Sequence, residues 1–264
     1  MKGLFENEAC AVRPVLWINP RESDLITENN GNKEVIEDEA VSMVSPVVTE
    51  NDNTTIVDLS SAHLGDTVRF GRYEQNNNQE DGKEEIEWIV LAEEDNRLLL
   101  ISSHALDNLG FDTFQLSDED EITWASASIR SWLNNDFIAS AFNKEERTFI
   151  LTQKLEDAAG RKTIDRVFLL SVDEAEKYFA DNTARKCLST TYSAASEKTY
   201  DEDFLTSNEQ IIEGYCIWWL RTTGPNGNNA AVVLTDGSIE FKGEPSQRLR
   251  SVRPAIWVDL EKQE

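Results

Sequence analysis

The chain has 264 residues, 39% of them hydrophobic and seven of them Trp, enough to bury a sizeable core as one large or two small domains. Fifty acidic against 25 basic residues give a net charge of −25 and a pI near 4.4, a field that repels nucleic acid and anionic membrane surfaces and argues against both as partners. Cys10, Cys187 and Cys216, with His63 and His104, are too few and too scattered for a disulfide framework or a clustered zinc site, so no metal and no cofactor is expected.

Residues 1–20 contain a near-copy of the chain's end. AVRPVLWINP at 11–20 matches SVRPAIWVDL at 251–260 without gaps, and the offset of 240 positions also aligns Lys2 and Gly3 with Lys242 and Gly243. That spacing is too long for a solenoid repeat, and it predicts that 1–20 is the last strand of an upstream copy of one domain. Residues 21–60 hold no aromatic residue and ten acidic residues against Arg21 and Lys33, which predicts a disordered acidic linker. The globular domain is expected over 61–260. MKGLFENEAC lacks the apolar run of a signal peptide, and no stretch approaches the roughly 20 apolar residues of a membrane span. The expected place is therefore the cytoplasm, without membrane insertion, or the cell surface or exterior if the natural start lies upstream.

From Gly65 the pattern is that of a folded domain. DTVRFGRYEQ alternates as a strand, and EIEWIVLAEE and NRLLLISS form a hairpin. SASIRSWLNNDFIASAF has helical spacing interrupted at Asn134 and Asn135. Asn143 with Glu146, and Ser171 with Glu174, have the spacing of capping boxes, the second opening the helix VDEAEKYFA. RVFLLS is a short buried strand, and TARKCL is expected to be helical. YCIWWLRTTG is a strand, AAVVL and IEF form a hairpin through Asp236-Gly237, and VRPAIWV closes the domain. Pro254 lacks an N–H, so this last strand is expected at an edge or at a bulge. Strands at both ends around central helices indicate an α+β domain whose terminal strands share a sheet.

The chemistry-bearing residues point away from catalysis. Cys187 lies beside Arg185 and Lys186 with no His partner, and Cys216 is flanked by apolar residues, so both are expected to be structural. SDEDE at 117–121 lacks the Gly turn and ligand spacing of a calcium loop, and GPNGNN has no Lys-Ser/Thr behind it to bind phosphate. The richest cluster is at the C-terminal end. Trp218, Arg253 and Trp257 are expected to form a structural Arg–Trp ladder. Trp218 and Trp219 point to opposite faces of a strand, so one leaves the core unless both faces are covered. The candidate ligand platform is then Trp219, Arg221, Thr222, Thr223, Asn226, Asn228 and Asn229, with Arg248 and Arg250 along one side.

GDTVRFGRYEQ, IEWIVL, IRSWLNNDF, VFLLSVDEAEKYF, WWLRTTG and VRPAIWV together resemble an uncharacterised bacterial domain family, and VRPVLWI at 12–18 matches the same family ending. The closing section is similar to that of C-type-lectin-like folds, including the formylglycine-generating enzymes. That resemblance implies a twisted antiparallel sheet with flanking helices and carries no function by itself. The formylglycine-generating enzymes use a cysteine pair, and only Cys216 lies in the matching region. The expectation is therefore a non-enzymatic module of a tandem-domain protein that binds a protein or a glycan. The alternatives are an enzyme related to formylglycine generation and a truncated domain without independent function.

Overall fold

The computed structural model describes residues 59–113, 121–157, 159–197 and 214–261, all within one compact unit. The repeated stretch at 1–20, Cys10, nearly all of the expected linker and residues 117–120 of SDEDE lie outside the described residues. Leu59 is fully buried in the core, so the domain takes in residues the sequence assigned to the linker.

The first sheet has the order β1 (Thr67–Tyr73), β2 (Glu84–Glu94), β3 (Arg97–Ser102), β12 (Ala255–Asp259), β7 (Val167–Phe168), with every pairing antiparallel. The terminal strands share it, as their positions in the chain implied. Asp95 and Asn96 both have positive φ, 43° and 60°, which lets a two-residue turn follow the strand twist between β2 and β3. Gly71 has φ +73° where the β1–β2 register shifts, and a Cβ there would strike the Phe142 ring and the Ala141 carbonyl.

The second sheet has the order β10 (Ile239–Pro245), β9 (Asn229–Val233), β8 (Trp218–Thr223), β11 (Leu249–Val252), β4 (Asp107–Gly110), with β8 and β11 parallel. The expected single sheet is therefore two. VRPAIWV is the reason: β11 belongs to the second sheet and β12 to the first, with Arg253 and Pro254 at the crossing. Neither half lies at an edge. A residue without an N–H interrupts a ladder, and here the interruption is where the chain changes sheets. The Pro254 carbonyl accepts from Ser102 N–H at 3.0 Å, which ties the crossing to β3.

The helical segment comprises α1 (Ser128–Trp132), a π-helical turn Leu133–Phe137, and α2 (Ile138–Ala141). Asn134, read as a break, is a clamp. Its Nδ2 donates to the Val167 carbonyl at 2.8 Å and its Oδ1 accepts from Arg166 N–H at 2.8 Å. Both capping boxes form, at α3 (Glu146–Phe149) and α4 (Val172–Tyr178). A separate hairpin pairs β5 (Gln153–Glu156) with β6 (Lys162–Asp165). TARKCL is helical only in part: α5 (Asn182–Arg185) ends before Cys187, and α6 (Thr191–Glu197) follows.

Candidate functional site

Both Trp218 and Trp219 are fully buried, because β8 is covered on both faces. Trp218 Nε1 donates to the Arg185 carbonyl at 3.2 Å, and Trp219 Nε1 donates to the Leu109 carbonyl at 2.8 Å. Trp219 packs edge-on against Phe111 at 5.7 Å. It is a core residue and no part of a ligand platform. The Arg253 guanidinium stands 5.1 Å from the Trp218 ring and 5.3 Å from Phe179. Trp257 lies in the other sheet and takes Arg97 at 4.3 Å, so the ladder is two separate Arg–Trp stacks.

Arg221 and Thr222 also serve the fold. Arg221 pairs with Glu174 through both guanidinium ends, Nη2 to Oε1 at 2.9 Å and Nη1 to Oε2, and Nη1 also donates to the Leu169 carbonyl at 3.0 Å. Glu174 is the residue that closes the α4 capping box onto Ser171 N–H at 2.9 Å. Thr222 Oγ1 accepts from Val172 N–H at 3.0 Å. WWLRTTG and VFLLSVDEAEKYF are thus interlocked. Glu174→Ala removes a cap worth about 1 kcal/mol and charge-assisted bonds worth about 1.5–3 kcal/mol. Ser171→Ala removes the cap alone, so urea unfolding is expected to show Glu174→Ala as the more destabilised by at least about 1 kcal/mol.

The remaining platform residues divide. Arg248 and Arg250 both donate to Glu244 Oε2, at 2.7 and 3.3 Å, and Arg250 is buried. Asn229 Nδ2 braces β10 through the Lys242 and Gly243 carbonyls at 3.3 and 3.2 Å. Thr223 is half-buried, whereas Asn226 and Asn228 are exposed on the β8–β9 loop. Backbone bonds hold this loop at three points: Gly224 N–H to Asn229 O (2.7 Å), Ile122 N–H to Gly227 O (2.8 Å) and Ser246 N–H to Asn228 O (2.9 Å).

Phe241 on the edge strand β10 is 53% exposed and was not found from the sequence. Alternation in IEF assigns Ile239 and Phe241 to one side. The β9–β10 register shifts between Glu240 and Glu244, and such a bulge re-aims side chains. Gly243, with φ +74° inside that shift, is the residue in the sequence that marks it.

Other polar groups are occupied in structural roles. Asp107 accepts from Tyr73 Oη at 2.6 Å, and burial raises its pKa against the opposing effect of that bond. Asp165 accepts from Trp124, Thr163 and Arg130. An open groove of about 600 Å³ runs beside the π-helical turn, lined by Asn135, Ile138, Arg147, Ile164 and Arg166 among others. Among the described residues no group of three or more His, Cys, Asp or Glu could hold a metal ion, and no helix is long and apolar enough to cross a membrane.

These features define an α+β domain of two five-stranded sheets locked by buried Arg and Trp side chains, with Asn226, Asn228 and Phe241 exposed. The profile of a family described as a domain of unknown function (DUF6273) matches residues 95–260, and the chain belongs to that family. The match takes in IRSWLNNDF, VFLLSVDEAEKYF, WWLRTTG and VRPAIWV and begins after GDTVRFGRYEQ and IEWIVL. No curated protein matches the chain, and no solved structure does.

Proposed function

We propose that this domain is a non-enzymatic binding module whose ligand face is the outer hairpin: Asn226 and Asn228 on the β8–β9 loop and Phe241 on β10. The observation that carries the reading is the exposure of one aromatic ring and two amides on backbone held by neighbouring segments. The other polar groups of the expected platform are turned inward or onto one another. A ring that stacks, beside neutral donors and acceptors, suits an uncharged ligand rich in hydroxyls, and an oligosaccharide is the first class to test. The resemblance of the closing section to C-type-lectin-like folds agrees with this by analogy. The resemblance of 12–18 to the family ending agrees with a tandem-domain parent.

The test is a glycan array followed by titration calorimetry on the full chain and on Asn228→Ala/Phe241→Ala. The double variant is expected to keep its thermal midpoint within about 2 °C, since exposed substitutions rarely exceed ±0.5 kcal/mol. It is expected to lose binding by at least about tenfold. Unchanged affinity for a ligand the parent binds removes this face from consideration. Capture of a protein but no glycan moves the ligand class to protein.

A further inference from the structure

Cys187 and Cys216 oppose one another on neighbouring extended segments. Leu188 and Tyr215 form an antiparallel bridge, so the adjoining pair is Cys187 with Cys216, and the Cys216 N–H donates to the Cys187 carbonyl at 2.9 Å. Opposed antiparallel positions carry their side chains on one face, with Cα atoms about 5.5 Å apart in a hydrogen-bonded pair, inside the span of a disulfide. Cys187 Sγ donates to the Leu188 and Ser103 carbonyls at 3.5 and 3.8 Å. Cys216 Sγ donates to the Cys187 carbonyl oxygen at 3.3 Å, and the hydroxyls of Ser189 and Ser251 share a hydrogen bond at 3.3 Å.

Arg253 bounds the same site. It is 1% exposed, with Nε donating to the Ser102 carbonyl at 2.9 Å and Nη1 to the Arg185 carbonyl at 3.3 Å. Among the described residues no carboxylate pairs with it. A guanidinium keeps its proton in a protein, and a buried charge without a counter-charge is costly. Its field favours the thiolate at both cysteines. Burial nevertheless holds the Cys187 thiol well above its ordinary pKa. The bond from Cys187, then those from Ser251 and Ser189 and the Arg253 charge, bring Cys216 down to about 7. One sulfur is thus ready to act as nucleophile and the other stays protonated beside it.

We propose that Cys187 and Cys216 form a peroxide-reactive dithiol that closes to a disulfide, with Arg253 as the positioning cation. This stands independently of the ligand face. The Cys216 thiolate attacks one peroxide oxygen, an S–O bond forms, the O–O bond breaks, and hydroxide leaves and takes up a proton as water. The Cys187 sulfur then attacks Cys216 sulfur, the S–S bond forms, the S–O bond breaks, and a second water leaves with the Cys187 proton. Two thiols lose two electrons, and one peroxide becomes two waters. Cys216, at 8% exposure against 1% for Cys187, is the less deeply buried of the two residues.

The test uses the full chain carrying Cys10→Ser, treated with hydrogen peroxide in native buffer, then thiol titration and non-reducing peptide mapping. The expected result is loss of both thiols together, a Cys187–Cys216 linked peptide reversed by dithiothreitol, and a rise in Tm of about 5–10 °C from closing this loop. Added Cys187→Ser is expected to leave a Cys216 sulfenic acid that dimedone traps, and added Cys216→Ser to leave Cys187 reduced over the same time. Two free thiols after treatment, or Cys216 oxidised to sulfinic acid with Cys187 free, overturns the proposal. The pH midpoint of the reaction is expected near 7 in the parent. It is expected to move upward in Arg253→Met, which removes the charge, and also in Ser251→Ala, a milder change at the same thiol. Midpoints unmoved by both remove the positioning roles.

Discussion

Arg253→Met is expected to lower the unfolding free energy by about 2–4 kcal/mol, since a buried carbonyl deprived of its donor costs about 1–3 kcal/mol, a second loses one of two donors, and the cation–π packing goes as well. The Ser102 carbonyl loses its guanidinium donor, the Arg185 carbonyl keeps Trp218 Nε1 alone of its two side-chain donors, and Trp218 and Phe179 lose the guanidinium beside them. A Met side chain fills part of the space, which isolates the polar loss from the cavity. Arg253→Lys keeps the charge but cannot place two donors in a planar fork, so it is expected to lose about half as much. Urea unfolding followed by Trp fluorescence measures both. A loss below about 1 kcal/mol for Arg253→Met would mean that water satisfies the carbonyls the guanidinium holds.

Asp165→Ala is the second large effect, expected at about 3–5 kcal/mol. The carboxylate has no exposed side-chain surface and accepts from Thr163 Oγ1 at 2.6 Å, Trp124 Nε1 at 2.9 Å and Arg130 Nε at 2.7 Å. It joins the β5–β6 hairpin to the segment that enters α1, and its removal leaves a partly buried guanidinium whose remaining bond among the described residues is to the Ala125 carbonyl. Thr163→Val deletes one of the three bonds at constant shape and is expected to cost about 1 kcal/mol. The ratio of the two losses, read from denaturation midpoints with unchanged slopes, separates a shared hub from three independent contacts.

Features legible in the sequence were those that a few neighbouring residues complete. Ser171 and Glu174 satisfy each other's amides within one turn, and Asn143 with Glu146 does the same. Asp236-Gly237 reads as a turn because Gly237, φ +83°, takes a conformation other residues resist. The interruption at Asn134 was visible, though its purpose was not, since its partners are the backbone of Arg166 and Val167. The candidate site was legible only at Asn226 and Asn228. Trp219, Arg221 and Thr222 have the composition of a ligand platform, but the partners that claim them, Leu109, Glu174 and Val172, come from other segments.

The sequence by itself determined most of the local elements, the α+β class and that the terminal strands share one sheet, because period, caps and turns are satisfied within a few residues. Tertiary structure alone decided that Pro254 marks a change of sheet, that both faces of β8 are covered, that Phe241 stands exposed on an edge strand, and that Cys187 meets Cys216 beside Arg253. Each of these depends on which distant backbone group lies opposite, as when Arg253 reaches the Ser102 carbonyl across 151 positions of chain. Composition sets what a residue is able to bond, but only packing decides which partner is there.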